Sequence, residues 1–109
     1  MNREYRVLLP KSAKRDIEEI VSFFAADRKE YAHDVYQGIK NKIDSLRHFP
    51  EKGRTVPELH RQKINAYREL LESYWRILYK IEKDTVIVLA VIDGRRNVLD
   101  ILIEKLQRK

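Results

Sequence analysis

The sequence of 109 residues contains no cysteine. That excludes disulfides, thiol nucleophiles and cysteine-ligated zinc, and it fits a reducing compartment. Prolines and glycines are also scarce, three of each. No glycine belongs to a G-x-G-x-x-G or P-loop pattern, so no phosphate-cradling turn is encoded. Long apolar runs are missing: the longest, Val86 to Ile92, has seven residues, far short of the roughly 20 that span a bilayer. The opening Met1-Asn-Arg-Glu-Tyr-Arg lacks the apolar stretch of a signal peptide. A soluble, cytoplasmic protein with no membrane partner is expected. His33, His48 and His60 stand 15 and 12 residues apart, so no i, i+4 pair offers a metal face. Ser12, Ser22, Ser45 and Ser73 have no His-Asp context nearby. Neither a metal nor a cofactor is expected.

Negative charge is the scarcer sign, with 17 acidic against 23 basic residues and a net charge of +6. Arg47, Lys52, Arg54, Arg61, Lys63 and Arg68 face only Glu51 and Glu58 in their stretch. Arg95, Arg96, Lys105, Arg108 and Lys109 add to the excess near the end. Such an imbalance favours an acidic partner: nucleic acid, an acidic protein segment or an anionic surface. Length allows one domain, residues 1–109, with a single core.

The most ordered stretch runs from Tyr67 to Asn97. Three runs rich in β-branched and aromatic residues are broken at Glu72-Ser73 and Glu82-Lys83-Asp84, which predicts three consecutive antiparallel strands with tight turns. The nearly all-apolar run Val86 to Ile92 is expected at the sheet centre, buried on both faces. Upstream, Tyr5 to Leu9 reads as a short strand ended by Pro10. Ser12 is the expected N-cap of a first helix with the stripe Ala13, Ile17, Ile20, Val21 and Phe24. A second helix, Lys29 to about Phe49, carries Ala32, Val35, Tyr36, Ile39, Ile43 and Leu46, and Gly38 inside it suggests a close approach by a neighbour. The two form an αα-hairpin covering one sheet face. Pro50 to Ala66 is expected to be the loosest part, pinned by Val56, Leu59 and Ile64. Asn97 or Asp100 opens a terminal helix with Leu99, Leu102, Ile103 and Leu106 at helical spacing. The expected fold is α+β, a small antiparallel β-sheet packed against an N-terminal αα-hairpin, in the order β-α-α-β-β-β-α.

The remaining candidates for chemistry are basic and aromatic. Arg68, Arg76 and Arg96 on or beside adjacent strands suggest convergence on one phosphate or carboxylate, which guanidinium forks bind bidentately. The competing reading is exposed strand arginines whose stems cover apolar surface. Tyr67, Tyr74, Trp75 and Tyr79 are suited to base stacking, but strand aromatics more often fill the core. Asp93 is expected to pair with Arg95 or Arg96.

Several pieces, in this order and spacing, resemble the RelE/ParE superfamily of toxins from type II toxin–antitoxin modules, often described as plasmid-stabilisation proteins. They are Ala13-Lys-Arg-Asp-Ile-Glu-Glu-Ile20, Ile43-Asp-Ser-Leu46 with Phe49-Pro50 and Gly53, Tyr67-Arg-Glu-Leu70, Tyr74-Trp-Arg-Ile-Leu-Tyr79 and Val91-Ile-Asp-Gly-Arg-Arg96. The resemblance spans nearly the whole chain. It implies a growth-inhibiting toxin neutralised by a cognate acidic antitoxin. In the RelE branch it implies ribosome-dependent mRNA cleavage, with Arg76 and Arg96 as catalytic residues and Arg68 as a helper. However, the late tyrosine of that branch falls near Leu102, no histidine follows His60, and Arg68 and Glu69 stand where a lysine pair is usual. In the ParE branch the resemblance implies inhibition of DNA gyrase by binding rather than catalysis. Arg68, Arg76, Arg95, Arg96, Leu99 and Leu102 would then be contact surface for target or antitoxin. The longer helical hairpin and the aliphatic terminal helix favour the ParE-like reading. The RelE-like endoribonuclease acting on the ribosome with mRNA is the alternative, and a non-toxic interaction domain the third.

Overall fold

A computed structural model describes residues 4–107. The N-terminal Met1-Asn-Arg and the basic Arg108 and Lys109 lie outside the described residues, and so does the side chain of Leu106. The elements are β1 (Arg6–Leu8), α1 (Lys11–Ala25), α2 (Lys29–Ser45), β2 (Arg54–Thr55), α3 (Pro57–His60), β3 (Tyr67–Glu72), β4 (Trp75–Glu82), β5 (Thr85–Asp93) and α4 (Val98–Gln107). The sheet order is β1-β5-β4-β3-β2. All neighbours are antiparallel except β1, which runs parallel to β5. Among the described residues no helix is long and apolar enough to cross a membrane.

The helical hairpin forms as its periodicity dictates. Ala13 and Ile17 of α1 and Ala32, Val35, Ile39 and Ile43 of α2 are buried. Most of this seam meets Leu70, Ile77, Tyr79, Val86, Val88 and Val91 on one face of the sheet. Tyr5, Val7 and Leu9 join the same core, whereas Leu8 points away and is exposed. Tyr36, expected in the stripe, is exposed at its edge. Gly38 lies under the end of β3, where an added Cβ would stand 2.5 Å from Glu72 Oε2.

Ser12 is not the N-cap of α1. Pro10 holds that place in extended conformation, and Lys14 N–H donates to its carbonyl at 3.0 Å. A proline needs no intrahelical donor at the start of a helix, so the helix begins earlier than the serine suggests. The Ser12 hydroxyl instead meets Lys105 Nζ, which also binds Asp16 Oδ2 at 2.8 Å and so clasps α4 to α1. Likewise, α2 ends at Ser45, whose hydroxyl donates to Lys42 O, before Pro50 is reached.

β5 is interior but second from an edge, because β1 docks outside it and two hairpins place β4 in the middle. Its burial on both faces depends on an irregularity. Leu78 pairs with Ala90 but Tyr79 pairs with Val88, leaving Leu89 as an extra residue. A bulge of this kind reverses the side-chain alternation. Val86 and Val88 therefore face the hairpin core, while Ala90 and Ile92 face the other side with Leu78, Val56, Leu59, Val98 and Ile101.

The stretch from Pro50 to Ala66 is more ordered than its composition suggests. Arg54 and Thr55 pair with Glu69 and Arg68, and Pro57 opens α3 at its first turn. Val56 and Leu59 are buried there, but Ile64 is exposed. Asn97 caps α4, its Oδ1 accepting the Asp100 N–H at 3.2 Å. Val98 and Ile101 supply the buried side of that helix.

Candidate functional site

A cleft of about 780 Å³ opens at the end of the sheet where β5 finishes. Phe24 and Tyr31 of the hairpin, Leu71, Tyr74 and Trp75 of the β3–β4 turn region, and Asp93-Gly94-Arg95 surround it. Ser73 allows the tight turn by adopting a φ of 56°. Arg54, Glu58 and Arg76 line the same cleft.

Arg76 is buried and belongs to a four-member ion network. Its Nε donates to Glu69 Oε1 at 2.8 Å, and Nη2 also reaches that oxygen. Its Nη1 and Nη2 donate to the two oxygens of Glu58, both at 2.8 Å. Glu69, itself fully buried, accepts from Arg54 Nε at 2.7 Å. The strand register explains half of this: Arg76 sits opposite Leu71, so it shares a face with Glu69 two residues away.

The same register separates the arginines that sequence spacing suggested would converge. Arg68 lies opposite Tyr79 and shares the hairpin face with it, where its Nη1 donates to Gly53 O at 2.7 Å. Arg68 and Arg76 therefore point to opposite sides of the sheet. Arg95 is fully solvent-facing and pairs with Asp93 at 3.2 Å. Its guanidinium holds the Asp93 carboxyl below the usual range. Arg96 is exposed, and its side chain makes no hydrogen bond or ion pair among the described residues. Leu99 and Leu102 are half-buried and line a separate groove of about 380 Å³ with Ile64, Tyr67, Leu89 and Ile103. Among the described residues no three histidine or acidic side chains gather to hold a metal ion.

The aromatic candidates divide. Tyr79 is fully buried; its hydroxyl donates to Pro50 O at 2.7 Å and accepts the Gly53 N–H at 2.9 Å. Burial pushes its phenol up, so it stays protonated. Tyr67 packs half-buried against the α3–α4 side. Tyr74 is 74% exposed on the cleft rim. Trp75 packs edge-on to Phe24, with ring centroids 6.2 Å apart, and Phe24 contacts Tyr31 at 4.9 Å. The Trp75 indole nitrogen is buried without a partner among the described residues.

Sequence reasoning missed Glu58, Glu69 and Arg54 as members of the site. Strand alternation was a sufficient signal for Glu69; nothing local points to Glu58. The Arg76 guanidinium holds the Glu58 carboxyl down at about 2 from the ordinary 4.5, chiefly through its hydrogen bonds and against the opposing effect of burial. A carboxyl whose folded value is depressed stabilises the fold above its unfolded value and loses that contribution as pH falls through the folded one. The stability difference between the native protein and Glu58→Gln is thus expected to narrow between pH 4.5 and about 2. Chemical denaturation across that window checks this; a gap that stays constant on acidification would contradict the pairing.

A family model described as ParE toxin of type II toxin–antitoxin system, parDE, matches residues 7–98. A search among curated proteins finds no match. The fold is similar to a chain of the chromosomal ParDE toxin–antitoxin system from P. aeruginosa, with a TM-score of 0.68 and 14% identity over 84% of this chain and 97% of that one. It is also similar to a chain of the toxin–antitoxin complex RelBE2 from Mycobacterium tuberculosis, with a TM-score of 0.54 and 22% identity over 83% and 91% of the two chains. At these identities the likeness is one of fold.

Proposed function

Since the chain belongs to the ParE toxin family of type II toxin–antitoxin systems, we propose that it arrests growth by binding DNA gyrase and that a cognate acidic antitoxin neutralises it in the cytoplasm. One observation carries the choice of binding over catalysis. The outward edge of Arg76 is occupied by Glu58 and its inner edge by Glu69. A guanidinium already paired with two carboxylates offers little stabilisation to charge developing on a phosphate. The described residues lining the cleft include no histidine or lysine, so a ribonuclease built here would depend on Tyr31, Tyr74 or the carboxylates for proton transfer. Arg95 and Arg96, exposed at the end of β5, are assigned to target contact, and the net charge of +6 favours an acidic antitoxin.

Pulse labelling after induction without antitoxin tests the reading. Thymidine incorporation is expected to fall before methionine incorporation, and purified toxin is expected to inhibit gyrase supercoiling. Arg95→Ala with Arg96→Ala should weaken that inhibition by about tenfold or more without lowering the melting temperature. Early collapse of methionine incorporation would overturn the gyrase reading in favour of the ribosome-dependent endoribonuclease.

A further inference from the structure

Every charged side chain among the described residues lining the cleft already has a partner. Arg54 meets Glu69, Arg76 is closed between Glu58 and Glu69, and Arg95 meets Asp93. An entering ion would have to break one of these pairs and strand its partner. The free binding capacity of the cleft therefore lies in its apolar walls. Leu71 and Tyr74 are 50% and 74% exposed there, with Phe24, Tyr31 and Trp75 half-buried beside them. Large apolar side chains gathered at the surface of a small domain mark a contact site.

This surface is fixed in place and continuous with the arginine pair. Gly94 N–H donates to Tyr74 O at 2.8 Å, which ties the β3–β4 turn to the end of β5, and Arg95 and Arg96 follow at once. Phe24 stands edge-on to both Trp75 and Tyr31, and the Arg28 guanidinium lies over the Tyr31 ring, 4.2 Å from its centroid. With its walls held by one another, the cleft needs little reorganisation before it is filled, and binding keeps the free energy that ordering would cost. Tyrosine, tryptophan and arginine are also the side chains that dominate binding energy at protein interfaces.

We infer that the cleft is the anchor pocket for the target protein: a large neutral apolar side chain on the surface of gyrase inserts against Leu71 and Tyr74, while a carboxylate beside it meets Arg96. The Glu58–Arg76 pair stays closed throughout. This rests on the gyrase reading and adds to the exposed arginines an apolar contact that supplies most of the affinity. The groove of Leu99 and Leu102 shares no lining residue with the cleft and takes no part.

The test measures the affinity of the purified full chain for immobilised gyrase by surface plasmon resonance. Tyr74→Ala and Leu71→Ala are each expected to weaken binding about tenfold. Tyr74→Phe keeps the ring and is expected to stay within about twofold of the native chain, because the contact is apolar. Ile103→Ala removes a comparably exposed apolar side chain from the separate groove and is also expected to stay within about twofold. Raising the salt concentration should shrink the loss in Arg96→Ala and leave that in Tyr74→Ala. Melting curves establish that each variant is folded. If the native chain does not bind gyrase, the gyrase reading and the anchor fall together. If it binds and both alanine variants in the cleft bind equally well, the anchor falls alone. The anchor also falls if Tyr74→Ala keeps its gyrase affinity but loses the cognate antitoxin, or keeps it but turns a native dimer into a monomer in sedimentation. The cleft would then belong to the antitoxin or to a second copy of the chain.

Discussion

Glu69→Ala is expected to lower the unfolding free energy by about 3–5 kcal/mol, because it removes one partner of a buried ion pair and strands the other. Glu69 is fully buried and accepts from both Arg76 and Arg54. In the variant, Glu58 still meets the outer edge of Arg76, but the inner Nε points at a dry void. Arg54 is more than half exposed and regains its hydration readily. A loss of this size is a large part of the stability of a small domain, typically about 5–15 kcal/mol. The paired substitution Glu69→Leu with Arg76→Met removes both buried charges and fills their volume. It is expected to stay within about 1.5 kcal/mol of the native protein, as apolar replacements of buried ion pairs generally do. Urea denaturation of both variants decides the matter. If the single variant loses less than the double one, the network does not hold the arginine as described.

Gly53→Ala is expected to destabilise by about 3 kcal/mol, combining overpacking with the loss of buried hydrogen bonds. The added Cβ would lie 2.6 Å from the Glu69 backbone oxygen and 2.6 Å from the Tyr79 hydroxyl. Neither neighbour can yield. Glu69 is held in the ladder between β2 and β4, and the Tyr79 hydroxyl is bound on both sides by Pro50 and Gly53. The loop must lift, unmaking the contacts that lead the chain into β2. The glycine is needed here for space, since its φ is not positive. Adding Tyr79→Phe removes one obstacle, so the double variant should lose less than the two single losses together, a coupling expected between side chains in contact. A thermal and chemical denaturation series measures it; strict additivity would show that the hydroxyl does not crowd the loop.

The elements with a clean period were legible from sequence. The stripe of α2 buries Ala32, Val35, Ile39 and Ile43 as its spacing requires, and the three strands from Tyr67 to Asp93 follow their apolar runs. The separation of Arg68 from Arg76 was also legible. A two-residue turn after Glu72 sets that residue opposite Trp75, which places Arg76 with Leu71 and Glu69 and puts Arg68 on the other face. Hairpin alternation, applied before proximity, rules out a convergence of these two arginines. β2 and α3 were hidden by their brevity: two and four residues carry no periodic signal. The bulge at Leu89 was hidden for the opposite reason, because an all-apolar run reads alike in either register.

By itself the sequence determined the α+β class, the order of the main elements, the basic balance and the family resemblance. These rest on local periodicity and composition, which need no knowledge of distant partners. The tertiary structure alone decided that Arg76 is neutralised while Arg96 stays exposed. That outcome depends on Glu58, eighteen residues away in the chain, being carried to 2.8 Å by a four-residue helix anchored through Val56 and Leu59. Coulombic pairing acts over a few ångströms of space and is indifferent to sequence separation, so the availability of an arginine is a property of the fold and not of its motif.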